Sequence, residues 1–335
     1  MDRRPKRLLS ASSLIVSLAL AVCGATFARA QRPSGEPDVV RLRPNFYMIA
    51  GAGANIAVQI GSDGVVVVDS GNAAASHQVV AAIQNLTPLP IRYIINTNAE
   101  PDHVGGNAVL AKAGLTIFNN LVGNADMAKA MTNGGAASIL AHDSVLRRMS
   151  APTGKVSMFP IEAWPTEAFL EDRKYLRMNQ EAIEITRQPG AHSAADSFVL
   201  FRGSDVVVAG DVLDTKAFPV IDIANGGSIQ GEIEALNRLI ALAIPSGPFI
   251  YQGPGTYVIP GHGRVYEQLD VVDYRDMVVV VRDVIADMIK SGMTLEQVKA
   301  ASPAKPFETR YGSKTGEWTT NDFVEAVYKS LVTKK

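Results

Sequence analysis

Short β-branched runs alternate with clusters of glycine, serine and aspartate along the chain. Residues 45–50 and 55–60 have strand-like patterns, Gly61-Ser62-Asp63-Gly64 is a turn cluster, and residues 65–68 form an apolar run ending at Asp69-Ser70-Gly71. Two antiparallel strands followed by a buried third strand are therefore expected to open the fold. Apolar positions recur near helical spacing over residues 73–86, and residues 91–95 read as another buried strand. Strand character returns at 182–187, 197–201 and 205–209, and residues 228–243 predict a helix. A strand at 256–259 then leads into Pro260-Gly261-His262-Gly263, with helices expected over 267–291, 295–301 and 320–329. Residues 123–177 are the least regular, because Asn133-Gly134-Gly135, Pro152-Thr153-Gly154 and Pro160 interrupt short helical pieces. They read as an insertion or flap beside a site. The order of strands then helix, twice over, predicts a layered α/β sandwich forming one domain over residues 31–335, with C-terminal helices from about residue 267.

The first thirty residues stand outside this pattern. Arg3, Arg4, Lys6 and Arg7 precede an apolar and small-residue run from Leu8 to Gly24, and Ala28-Arg29-Ala30 is a small-x-small cleavage signal. This predicts a cleavable secretory leader and a periplasmic or secreted protein, without stable membrane insertion once the leader is removed. A lipid anchor on Cys23 is disfavoured by the bulky Val22 before it. Cys23 is the single cysteine, so the chain after residue 30 has no thiol, forms no disulfide and must build any metal site from His, Asp, Glu and Asn. With 47% hydrophobic residues and a net charge of -1, the 335-residue chain has the composition of a globular protein rather than a nucleic-acid binder. A small-molecule substrate is the expected partner, and oligomeric state is left open.

The candidate chemistry follows from five histidines. His77 and His142 lie in helix-like stretches with no acidic-histidine cluster around them. His103, His192 and His262 instead each follow a predicted strand in a Gly- or Ser-containing loop. The segment Asn96-Thr97-Asn98-Ala99-Glu100-Pro101-Asp102-His103-Val104-Gly105-Gly106-Asn107 collects amides, two carboxylates and an imidazole, a donor set suited to a divalent cation. Further along, Gly190-Ala191-His192-Ser193, Ala209-Gly210-Asp211 and Gly261-His262-Gly263 each end a strand in a ligand-type residue.

These motifs, in this order, resemble the metallo-β-lactamase superfamily over nearly all the chain from about Phe46. The resemblance implies a four-layer αββα sandwich. It also implies that His192 is the third ligand of a first metal site, that Asp102, His103 and His262 hold a second ion, and that Asp211 bridges. Where the family loop carries its first two histidines this chain has Asn98 and Glu100, so the first site is expected to be altered and the second intact. Glu100 could still ligate through oxygen, whereas a neutral amide such as Asn98 binds zinc poorly. The expected cofactor is zinc, as one or two ions, with manganese or iron possible through the extra carboxylate. Asp102, Asp211 and Glu100 in one pocket would repel each other unless a cation sits among them.

The activity implied is that of a secreted metal-dependent hydrolase, in which a metal-activated water attacks an amide, lactam, lactone or thioester carbonyl. Asp102 would act within the catalytic centre, Glu100 would be ligand or general base, and Asn98 a ligand partner or a loop cap. Lys216 could meet an anionic substrate group or be a solvated lysine. The competing reading is a catalytically silent binding protein stabilised by one metal. Specificity is expected from residues 123–177 and from the loops around Trp164 and Phe218.

Overall fold

The computed structural model describes residues 36–117, 135–151, 156–247 and 255–333. The expected leader lies outside the described residues, as do parts of the irregular stretch. Among the described residues no helix is long and apolar enough to cross a membrane.

Seven strands form the first sheet, in sequence order: β1 (Asp38–Arg43), β2 (Phe46–Ala50), β3 (Ile56–Gly61), β4 (Gly64–Val68), β5 (Ile91–Ile95), β6 (Ser138–His142) and β7 (Glu167–Phe169). The first four pair antiparallel through short turns, and β4 to β7 run parallel. Their parallel connections carry α1 (Ser76–Leu86), α2 (Pro101–Val104), α3 (Asn107–Ala113) and α4 (Asp143–Ser150). The second sheet has five strands, β8 (Arg173–Met178), β9 (Glu181–Gln188), β10 (Asp196–Phe201), β11 (Val206–Asp214) and β12 (Tyr257–His262), with only β11 and β12 parallel.

Burial explains why these runs become strands. All five positions of β4 and all six of β10 are buried, as required of strands covered on both faces, whereas the edge strand β8 alternates exposed Arg173, Tyr175 and Arg177 with half-buried Lys174 and Leu176 and buried Met178. Phe46, Val66 and Ile95 of the first sheet pack against Ile183, Phe201 and Val208 of the second, with the Phe46 and Phe201 rings edge to face at 4.8 Å. On the outer face of the first sheet, Val67 and Ile94 meet Val79 and Ile83 of α1 and Leu110 of α3. On the outer face of the second, Phe198 and Val207 meet α5 (Ile229–Leu242), α6 (Gln268–Lys290) and α9 (Thr320–Val332), with α7 (Leu295–Ala301) and α8 (Glu308–Tyr311) completing that layer. The result is the four-layer αββα sandwich.

Three local expectations change. The described part of residues 123–177 contains β6, α4, β7 and the first strand of the second sheet, elements too short or too polar to show a period in sequence. His142 ends β6 and caps α4, its Nδ1 accepting from the Ser144 amide at 3.1 Å, so it is not helical. β11 runs on past the predicted end at residue 209 to Asp214, and β12 to His262, so His262 lies within a paired strand rather than in a loop after it.

Candidate metal centre

The site lies where β4, β5, β11 and β12 end. Asp69 follows β4 with φ 61°, a left-handed conformation, and is fully buried. Its carboxylate accepts from the Thr97 amide at 2.8 Å and hydroxyl at 2.7 Å, and meets His103 Nδ1 at 2.8 Å. His103 sits on α2, whose backbone is fastened by the Ser70 amide and hydroxyl donating to the His103 carbonyl at 2.7 and 3.0 Å. The imidazole thus presents Nε2 to Asp211, 3.0 Å away.

Parallel pairing of β11 with β12, broken by register shifts, brings His262 to Asp211, with Nε2 of His262 3.5 Å from Asp211 Oδ1 and 3.2 Å from Asp102 Oδ2. The approach needs Gly261, because a β-carbon there would lie 2.4 Å from Asp211 Oδ1. Asn55 holds the same turn, its side-chain amide donating to the carbonyls of Pro260 and Gly263 at 3.0 Å.

One donor atom from each of Asp102, His103 and His262 falls within 4.8 Å of the other two. Two imidazoles and a carboxylate form a three-ligand set that leaves coordination positions open, the pattern of catalytic divalent-metal sites. The carboxylate behind His103 fixes its tautomer and directs Nε2 inward, as outer partners of ligating histidines do. This donor set fits a divalent cation.

The electrostatics agree. Burial pushes His103 down, but Asp211 and Asp69 on either side outweigh it and hold the ring well above the usual imidazole value. Asp211 is pushed up by burial and pulled well below the carboxylate range by His103, His192 and His262. Burial likewise raises Asp102, but the His262 hydrogen bond and the His103 charge outweigh it and hold the carboxyl below its usual value. The hydrogen bond to Asp102 raises His262 against its own burial. Without a cation, protons on imidazoles balance the carboxylates.

The other predicted residues form a neighbouring, self-satisfied group. The Asn98 side-chain amide donates to Asp211 Oδ2 at 2.9 Å, while its oxygen accepts from the Glu100 amide at 2.9 Å. Glu100 Oε1 is 2.6 Å from Arg148 Nη2, which also reaches Asp222 at 3.3 Å. His192 Nε2 lies 3.9 Å from Glu100 Oε1, and its Nδ1 is 3.3 Å from Asp196. Burial acts to lower His192, but Asp196, with Asp211 and Glu100, raises it to about 9. Asn98, Glu100 and His192 therefore do not fit a second ion: a donor amide and a guanidinium occupy the roles that two cation ligands would have. Lys216 is exposed, its stem alongside Gly263 and its amide donating to Asp214 at 2.7 Å. His77 is exposed on α1, away from these contacts.

Asp69, Arg148 and Asp196 were not singled out by sequence. Asp69 had a signal, a carboxylate ending a buried strand ahead of Ser70-Gly71, but Arg148 and Asp196 carry no motif.

A family model described as the metallo-beta-lactamase superfamily matches residues 50–245, more than half of the chain. The stereoselective inverting sec-alkylsulfatase Pisa1 from Pseudomonas sp. superposes with a TM-score of 0.60 at 13% identity, over 89% of this chain and 51% of that one. A double mutant of the sec-alkyl sulfatase PisA1 gives 0.63 at 14% identity with the same coverage. The chain thus spans about half the length of these alkylsulfatases. A metallo-beta-lactamase from Pontibacter korlensis gives 0.52 at 14% identity, over 72% of this chain and 99% of that one. At such identities the likeness is one of fold. No curated protein sequence matches the chain.

Proposed function

The chain belongs to the metallo-beta-lactamase superfamily, and from that premise we propose that it is an exported hydrolase working with a single divalent cation, zinc in the first instance. The observation that carries this reading is the convergence of Asp102, His103 and His262 donor atoms within 4.8 Å, backed by Asp69 and Asp211. Bound there, the cation supplies Lewis acidity: it brings the pKa of a water toward about 7 and polarises the oxygen of a scissile group.

The chain's own residues do the rest. Asp69 keeps His103 in the tautomer with Nε2 facing the centre, and Asp211, hydrogen-bonded to His103 and Asn98, holds negative charge beneath it. Asp102, at the rim beside His262, completes the donor set. Glu100 has one oxygen tied to Arg148 and the other without a hydrogen bond among the described residues, so that oxygen is our candidate proton acceptor. Substrates are small molecules with an activated acyl group, a lactam, lactone or thioester. Sulfate esters enter the comparison because the alkylsulfatases share the fold. Export with cleavage near Ala30 is part of the same proposal.

The test is hydrolysis of a panel containing a lactam, a lactone, a thioester and a secondary alkyl sulfate, with and without chelator. Asp102→Ala and His262→Ala should each lower turnover by orders of magnitude while circular dichroism stays that of the parent. No hydrolysis of any member with metal supplied would move the reading to a metal-stabilised binding protein, in which the same substitutions lower the melting temperature first.

A further inference from the structure

Beside the metal centre lies a cavity of about 380 Å³ that shares Glu100 with it but whose other walls the reaction as described does not use. Glu100 and His192 line it together with Asp322, Glu325, Ala326 and Lys329 of α9. Residues 220–224 and Trp318 complete the lining. Its size lies within the range of small-molecule sites, roughly 300–1,000 Å³.

Its walls are held in place. The Phe218 ring stacks on Phe323 of α9 with centroids 4.8 Å apart and planes 6° from parallel, which fixes the chain just ahead of residues 220–224 to the C-terminal helix. Within that segment the Asp222 amide donates to the His192 carbonyl at 2.8 Å, and the Asp222 carboxylate meets Arg148. The cavity therefore exists before any ligand arrives, and it opens from the residues that flank the metal centre.

The lining also has a charge preference. Val220, Ile221, Ile223, Trp318 and Ala326 supply apolar surface. Glu100, Asp222, Asp322 and Glu325 supply four carboxylates against the one ammonium of Lys329. The cations near them are already engaged: Arg148 pairs with Glu100 and Asp222, and Lys299 and Lys329 both pair with Glu325. An anionic group entering would meet carboxylates with no uncommitted partner among these side chains.

We propose that this cavity receives the non-reacting arm of the substrate, and that the arm is apolar and carries no negative charge. The proposal rests on the hydrolase reading, with the acyl group at the metal centre and its chain running past Glu100 and His192 towards α9. Substrates with medium-length acyl chains are then preferred over acetyl compounds, and chains ending in a carboxylate are rejected.

The test uses thioesters of one thiol, from acetyl to octanoyl, and a suberoyl monothioester whose chain ends in a carboxylate. In the purified protein kcat/KM should rise with chain length, by up to about fourfold for each methylene that becomes fully buried. The suberoyl compound should fall back to near the acetyl value. Ala326→Trp, which fills the cavity, should flatten the octanoyl-to-acetyl ratio to near one. Because that substitution could disturb α9, binding is also read directly: octanamide, which lacks a reactive acyl group, should change the Trp318 fluorescence of a Trp164→Phe chain saturably, and suberamic acid should not. Octanamide binding in a chain that hydrolyses nothing would uphold the cavity and sink the hydrolase reading. Hydrolysis without a chain-length gradient, together with no fluorescence response, would overturn the cavity proposal alone.

Discussion

Asp69→Asn tests the geometry behind His103 most sharply. Asp69 is fully buried, and each carboxylate oxygen is used: Oδ1 accepts from the Thr97 amide at 2.8 Å, and Oδ2 accepts from the Thr97 hydroxyl at 2.7 Å while facing His103 Nδ1 at 2.8 Å. Asparagine has nearly the same shape and can keep the bond from the Thr97 amide. Its NH2 then faces His103 Nδ1, which must become an acceptor, and the ring proton moves to Nε2, the nitrogen directed at Asp211 and the centre. That nitrogen loses the lone pair a cation needs. Outer partners of ligating histidines are worth about 10–100-fold in metal affinity, or roughly 1.4–2.7 kcal/mol, and a substitution that also reverses the tautomer belongs near the upper end. The lost charged hydrogen bond should destabilise the metal-free protein by about 1–3 kcal/mol. Zinc titration against a chromophoric chelator, with circular dichroism to verify folding, reads both effects. A folded Asp69→Asn protein that binds zinc as tightly as the parent would refute the argument that Asp69 sets the His103 tautomer.

Two further outcomes follow from groups around the centre. Glu232 of α5 is fully buried, and neither carboxylate oxygen has a hydrogen-bond partner among the described residues; burial, with the nearby Asp196 charge, holds its pKa well above the carboxylate range. The folded state therefore keeps a proton that the unfolded chain releases above about pH 4.3, so stability contributed by this group is present at acid pH and falls as pH rises from there. Glu232→Gln should match the parent near pH 4 and be more stable at pH 8 in urea unfolding, and an offset independent of pH would contradict this. Arg148→Ala strips the shared cation from Glu100 and Asp222, all three about three-quarters buried, and should cost about 2 kcal/mol, between the values of exposed and fully buried pairs. An unchanged thermal midpoint would show that the bridge contributes nothing.

The sequence made most of the strands and the candidate ligand trio legible for different reasons. β4, β5 and β10 are apolar runs bounded by turn residues, a signal that survives because both faces of each strand are covered. The predicted ends of α5, α6 and α7 fall within a residue of the observed ones, since α5 and α6 keep apolar stripes towards the second sheet and α7 is a short run that buries Val298. Asp102, His103 and His262 stood out through their glycine-flanked motifs. What sequence could not supply was mutual position. Arg148 lies 48 positions from Glu100 on a short polar helix, and only the fold brings the two to 2.6 Å. The apolar pattern predicts a strand only to residue 209 because Gly210 interrupts it, yet β11 continues through Asp211 to Asp214 beside β12. β8 escaped notice because a polar edge strand has no continuous apolar run to reveal it.

The most direct test of the central claim is metal content per chain, measured on protein purified without chelators and supplied with excess zinc before desalting. One tightly held ion per chain, lost in Asp102→Ala and in His262→Ala, is the predicted result. Two ions per chain would contradict the assignment of Asn98, Glu100 and Arg148 as a group that excludes a second cation, and no retained ion would remove the metal centre itself.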